Sequence, residues 1–209
     1  MPGTTIPRQS LRPAGESAVR TPIPASQASR IGQGCAFELL TSWQFDAPPE
    51  PIWAALTHPD TWPRWWPHVH QADRLVAGDP DGLGALHRLR WGSRLPYGLA
   101  LTVRSVEVDP PRRLRAQTSG DLEGTGIWQL QPAPDGSTRV DYLWRVDLSR
   151  RWMRWIAPLA APLFRWNHDA VMHAGAIGLA RHLGVRLIAD GPADAAAWPR
   201  WAECGPRLA

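Results

Sequence analysis

Apolar and polar residues alternate with a period of two through the middle of the chain, a pattern typical of antiparallel strands. In the clearest case, residues 138–148, Val140, Tyr142, Trp144 and Val146 share one face and mostly charged residues form the other. The same criterion predicts seven strands in all, at residues 37–45, 68–77, 85–93, 99–108, 113–118, 120–130 and 138–148.

Helical spacing of apolar residues replaces this alternation from Arg150 to Leu183 and predicts one long amphipathic helix. Proline lacks the N–H that an internal helix position requires, so Pro158 and Pro162 are expected to kink or divide the first part. Gly184 is suited to the left-handed residue that ends a helix.

Two short helices are predicted between the first and second strands. The segment DAPPE at 46–50 favours a helix start, because proline fits the first turn and a carboxylate favours the positive helix end. A second helix, starting in 57–60, carries Trp62, Trp65 and Trp66, and Pro67 ends it. The fold is therefore predicted as α+β: a curved seven-stranded antiparallel sheet wrapped around one long C-terminal helix.

The terminal segments lack these patterns. Residues 1–34 are rich in Pro, Ser, Gly and Thr, contain no aromatic residue, and are predicted to form a disordered arm. This arm has four Arg and one Glu, so it carries +3 of the net charge of +4. The predicted domain, residues 35–184, is nearly neutral, which argues against a nucleic-acid-binding face. Residues 185–209 are predicted to be a tail with little pattern beyond Trp198 and Trp201.

Other features of composition narrow the class further. Two cysteines are too few for a disulfide scaffold or a cysteine zinc cluster. The arm has no apolar secretory segment, and the longest apolar run, from Trp155 to Phe164, is too short to span a bilayer. These features predict a cytoplasmic protein. The 13 Trp are unusual, and large rigid apolar rings favour pockets and interfaces.

Six short motifs accompany this order of elements: FDAPPEPIW at 45–53, PDTWPRWW at 59–66, GLG at 82–84, DPPR at 109–112, GST at 136–138 and WNHD at 166–169. Together with the element order they resemble the START-like, helix-grip superfamily known as SRPBCC, in its polyketide cyclase/dehydrase and lipid-transport branch. The resemblance covers roughly residues 36–184. It implies a helix-grip fold with a ligand cavity, but no single activity, because such folds host carriers, cyclases, hydrolases and sensors.

A space between a curved sheet and a helix commonly binds an apolar small molecule through aromatic walls and a few polar groups. His87 shares a strand face with Leu89 and Trp91, and Asn167 lies beside the apolar helix stripe through Leu163. Nine residues are predicted to contact such a ligand: His87, Trp91, Leu101, Thr118, Trp128, Tyr142, Trp144, Leu163 and Asn167.

Catalytic and metal chemistry have weaker support. His168 and Asp169 could move protons, but consecutive helix positions point about 100° apart and cannot all face one pocket. His68 and His70 share a strand face, yet no third ligand is fixed near them, so no metal site is predicted. The glycine-rich segment 120–126 lacks a following Lys and helix, so it is not a phosphate loop, and no cofactor is predicted.

Three functions remain open. The first is binding of an apolar or lipid-like molecule, with transport as its extension. The second is a cyclase/dehydrase-type enzyme that uses the same polar groups. The third is a regulatory protein with a vestigial pocket. The Arg- and Trp-rich segment that begins at Arg150 and ends at Trp166 is also a candidate for transient contact with a membrane surface.

Overall fold

Eight antiparallel strands form a single sheet in the order β2-β3-β4-β5-β6-β7-β1-β8. The computed structural model describes residues 37–92, 98–148, 151–193 and Trp198, without the side chains of 147, 148 and 151–160. The strands are β1 Phe37–Phe45, β2 Val69–Val76, β3 Leu86–Trp91, β4 Leu99–Asp109, β5 Arg113–Gly120, β6 Leu122–Pro132, β7 Thr138–Leu148 and β8 Leu187–Ala193. The predicted arm, residues 1–34, lies outside the described residues.

Two helical segments follow β1, as the sequence predicts. Helix α1 spans Pro49–Leu56 and buries Ile52 and Leu56. The second segment is a 3₁₀ helix, Pro59–Arg64, which ends before Trp65 and Trp66. The prediction of a second helix that runs to Pro67 is therefore too long, and the tighter geometry suits a short segment with an internal proline.

The C-terminal helix α2 is continuous from Arg151 to Leu183. The prolines at 158 and 162 therefore do not divide it, and Gly184 follows in the left-handed conformation, at φ +67°. Two glycines allow its close approach to the segment after the 3₁₀ helix. A Cβ at Gly175 would clash with the Trp66 indole, and one at Gly178 with the Trp65 carbonyl oxygen.

Tryptophan side chains form the centre of the core on the concave side of the sheet. Trp66 is 1% exposed, and its ring lies within 5.0 to 5.8 Å of the rings of Trp43, Trp62 and Trp91. Its indole N–H donates to the Val171 carbonyl oxygen at 2.9 Å, which links this cluster to α2. The cluster therefore joins the first half of the chain to the C-terminal helix.

The sheet has one strand more than the seven predicted. β8 lies in the predicted tail and pairs antiparallel with β1, and Trp198 is buried against Leu40, Ile127 and Leu143. The strand contains Gly191 and Pro192, which have low strand propensity, so its local sequence gave little indication. The open edge of β1 supplies the hydrogen-bond partners that make this segment a strand.

The burial of β7 also differs from the one-sided pattern. Val140 and Val146 face the core as predicted, but Leu143, on the opposite face, is 1% exposed. Trp198 covers that position from the convex side. Both faces of this part of the sheet are therefore buried, since the chain after α2 returns across it.

Candidate functional site

An interior cavity lies between the concave face of the sheet and α2. Its volume is about 130 Å³, and the described residues that line it carry no carboxylate or guanidinium group. Its walls are mainly aromatic and aliphatic. Eight of the nine predicted ligand contacts line it: His87, Trp91, Leu101, Thr118, Trp128, Tyr142, Trp144 and Asn167.

Leu163 is the exception. Its side chain is 49% exposed, and it does not belong to the cavity wall. The next residue, Phe164, lines the cavity and stacks on Phe37 with ring centres 4.6 Å apart. The helix is thus rotated by about one residue from the predicted stripe, because its aromatic and bulky side chains face the sheet.

The helix residues at the cavity are Phe164, Asn167, His168, Val171 and Met172. Their spacing of three and four residues defines one helix face. Four of them, all except Asn167, are not among the predicted ligand contacts, because the predicted apolar stripe runs through Leu163. The signal was present in the sequence: this alternative stripe carries the larger side chains.

His87 on β3 forms a buried polar point in the cavity wall. Its side chain is 4% exposed, and its Nε2 atom has no hydrogen-bond partner among the described residues. Burial is the main cause that lowers the pKa of His87; Asp60 acts against this shift, and Arg74 and His58 add to it. The ring is therefore neutral at neutral pH, and Nε2 can accept or donate depending on the tautomer.

Trp91 lies two strand positions beyond Leu89 on the same side of β3. Its indole N–H is also buried without a partner in the described part of the chain. Two residues of the cavity wall, both on β3, therefore carry a buried polar atom that has no hydrogen-bond partner in the described part of the chain. Such groups are uncommon in native interiors, and a ligand or water would satisfy them.

Tyr142 and Trp128 form a stacked pair on β7 and β6, with ring centres 4.1 Å apart. Gly126 leaves room for this arrangement, since a Cβ there would lie 2.7 Å from the Tyr142 hydroxyl oxygen. Burial raises the pKa of Tyr142, so its hydroxyl stays protonated. It is a neutral hydrogen-bonding group in this wall.

His168 occupies the opposite wall, on α2. It is 6% exposed, its Nε2 lies 3.3 Å from the Thr41 hydroxyl oxygen, and its ring stacks on Trp144 at 5.4 Å. Burial lowers its pKa to about 4, so the ring is neutral at neutral pH. Asp169 points elsewhere, into an open groove on the outer side of α2, and burial raises the pKa of its carboxyl.

The two histidines considered for metal binding lie outside the cavity. His68 precedes β2 and lines the outer groove, while the ring of His70 lies where a Cβ on Gly92 would clash with it. Within the described residues, no three His, Cys, Asp or Glu side chains are grouped as metal ligands. None of the described helices is long and apolar enough to cross a membrane.

Three solved structures show the same fold. A protein from Rhodobacter sphaeroides is 25% identical, with a TM-score of 0.50, and covers 73% of this chain and 95% of its own. A START superfamily protein from Mycobacterium smegmatis is 14% identical, with a TM-score of 0.58, over 70% of this chain and 97% of its own. The Zhui aromatase/cyclase from a Streptomyces species is 12% identical, with a TM-score of 0.58, over 71% and 93%.

No curated protein matches the chain significantly. The family model described as polyketide cyclase/dehydrase and lipid transport matches residues 37–184, which is most of the chain and contains β1 through α2. The sheet, the C-terminal helix and the cavity between them agree with that match. This chain therefore belongs to the polyketide cyclase/dehydrase and lipid transport family.

Proposed function

We propose that this protein binds an apolar small molecule in the cavity between the sheet and α2. The observation that carries the proposal is the buried, unpartnered Nε2 of His87, a residue in the wall of an aromatic cavity. A buried polar atom without a partner costs roughly 1–3 kcal/mol. A bound molecule that supplies the missing hydrogen bond would offset that cost, and the surrounding rings would supply apolar contact area.

Binding is favoured over catalysis by the titratable groups of the described wall. The cavity contains two neutral histidines and a protonated tyrosine, and no carboxylate lines it among the described residues. His168 has the Thr41 hydroxyl as its partner rather than an acid. General acid–base catalysis works best with a group whose pKa lies near the working pH, and burial moves both histidines away from it. A cyclase-type reaction stays the alternative.

Native mass spectrometry of the purified full chain, followed by denaturing extraction, tests this proposal. We expect a bound small molecule that is released on unfolding, and a rise in thermal unfolding temperature when it is added back. A protein that is empty after expression in several hosts, and shows no thermal shift with any apolar compound, would contradict binding and favour a vestigial pocket.

The enzyme alternative has its own test. Replacement of both His87 and Tyr142 by Phe would remove two polar groups of the wall without adding charge. The native protein and this variant would each be incubated with poly-keto chains, either synthetic or present in cell extracts. If the native protein converts them and the folded variant does not, the cyclase alternative replaces binding. Turnover that survives the double change would place the chemistry outside these residues.

Delivery of an apolar ligand at a membrane would need an exposed apolar patch. Leu163 and Trp166 are each 49% exposed near the start of the described α2 side chains. The remaining side chains of the predicted membrane-contact segment, up to residue 160, lie outside the described residues. Membrane contact at residues 150–166 thus remains a prediction, which vesicle co-sedimentation of native protein against a Leu163→Ser, Trp166→Ser variant would test.

A further inference from the structure

The dimensions and charge of the cavity restrict the ligand further than its apolar character does. A volume of about 130 Å³ is well below the roughly 300–1,000 Å³ of sites for drug-sized ligands. It is close to that of an apolar protein cavity of about 150 Å³ that binds benzene. The described walls therefore have room for a single six-membered ring rather than for fused rings or a lipid chain.

The described wall residues offer no counter-charge to a charged ligand. The described lining residues carry no ionised group, and burial keeps His87 and His168 neutral. An ion placed there would lose its hydration without gaining a counter-charge, and that loss is far larger than a hydrogen bond can return. A carboxylate or phosphate on the ligand would have to lie outside the cavity.

The unpartnered atoms specify a polar substituent. The Nε2 of His87 accepts a hydrogen bond in one neutral tautomer and donates one in the other, whereas the Trp91 indole N–H only donates. A hydroxyl group both donates and accepts, so it can pair with His87 Nε2 in either tautomer. Four indole rings also line the cavity and favour an aromatic ligand. They belong to Trp62, Trp66, Trp91 and Trp128.

We infer that the ligand is a neutral, single-ring aromatic compound that carries a hydroxyl group, held by a hydrogen bond to His87 Nε2. This inference rests on the proposed binding function and gives its ligand class. It concerns the interior cavity, and the groove on the outer side of α2 plays no part in it.

A panel of four small compounds tests the inference on the full native chain, by isothermal titration calorimetry and quenching of Trp fluorescence. The compounds are para-cresol, toluene, benzoate and naphthol. We expect para-cresol to bind, toluene to bind about tenfold more weakly because it lacks the hydroxyl, and benzoate to show no saturable binding. We expect naphthol to bind more weakly than para-cresol, because its second ring exceeds the cavity.

Two substitutions connect these results to the cavity. In His87→Leu, the preference for para-cresol over toluene should fall to near one. In Met172→Ala, which shortens a side chain of the described wall and so enlarges the cavity, the ratio of naphthol to para-cresol affinity should rise at least about tenfold. Leu179→Ala is the matched control, since Leu179 is a fully buried residue on α2 outside the cavity wall, and it should leave that ratio unchanged.

The outcomes separate this inference from the proposed function. If naphthol bound the native chain more tightly than para-cresol, the ligand class would be overturned while binding stayed intact. Equal affinities for toluene and para-cresol would overturn the role of the hydroxyl. Failure of every apolar compound to bind would contradict the proposed function itself. The native-chain panel decides these points even if a variant does not fold.

Discussion

His87 on the sheet wall and His168 on the helix wall are buried to nearly the same extent, 4% and 6% exposed, yet their Nε2 atoms differ. His168 has the Thr41 hydroxyl at 3.3 Å, and His87 has no partner among the described residues. The Nε2 atom on the helix wall thus has a hydrogen-bond partner within the protein, whereas the Nε2 atom on the sheet wall has none among the described residues. A buried histidine with an unmade hydrogen bond is therefore a stronger candidate for ligand binding than one with a protein partner.

The largest expected effect comes from separating the two walls. Trp66 contacts the rings from β1 and β3 and donates to the α2 backbone at Val171, so Trp66→Ala should remove the link between them. We expect a loss of about 3–5 kcal/mol in the free energy of unfolding, measured by urea denaturation. Leu163→Ala, at a position on α2 that is 49% exposed and outside the cavity wall, should change it by less than about 1 kcal/mol. Similar losses for both would mean that Trp66 does not join the walls.

The next largest expected effect is a pH dependence of the free energy of unfolding that comes mainly from His168 on the helix wall. The folded pKa of His168, about 4, is below its ordinary value of 6.5, so the unfolded chain binds more protons between these values. The contribution of His168 to stability should therefore fall as the pH falls through that window, by about 1.4 kcal/mol per pH unit, and should stop falling below about 4. Urea denaturation at pH 7 and pH 5 measures the slope. His168→Gln should flatten it, leaving the smaller contribution of His87, and an unchanged slope in that variant would contradict the assignment.

The smallest expected effect is the difference in the free energy of unfolding between equivalent substitutions on the two walls. His168→Leu leaves the buried Thr41 hydroxyl without its partner and should lower the free energy of unfolding by about 1–2 kcal/mol. His87→Leu removes a polar atom that has no partner, so it should be neutral or stabilise by up to about 1 kcal/mol. Thermal and urea denaturation of the ligand-free proteins would show the difference. If His87→Leu destabilised as much as His168→Leu, His87 would have a structural partner.

Local pattern was sufficient for the sheet wall of the site. On β3, alternation puts His87, Leu89 and Trp91 on one face, and the structure has all three in the cavity wall. A strand allows only two faces, so a correct assignment of one residue fixes its neighbours. The same reasoning placed Trp128, Tyr142 and Trp144 there.

The helix wall was less predictable. A helix of 33 residues has apolar side chains on more than one stripe, and a rotation of one residue exchanges Leu163 for Phe164. Which stripe packs against the sheet depends on the total contact made by large side chains across it, such as Phe164 on Phe37 and His168 on Trp144. Phe164 and Phe37 are more than 100 positions apart in the chain, so no short stretch of sequence contains the total contact made across the sheet.

The amino-acid sequence alone determined the antiparallel strands, the long C-terminal helix and the family resemblance, because periodicity and short motifs are properties of neighbouring residues. Only the tertiary structure decided the rotation of α2, the addition of β8 to the sheet edge and the covering of Leu143 by Trp198. It also decided which polar atoms of the cavity lack a partner, the property on which the proposed ligand depends. Hydrogen-bond satisfaction and volume are set by distances between segments far apart in the chain, and these exist only once the segments have packed.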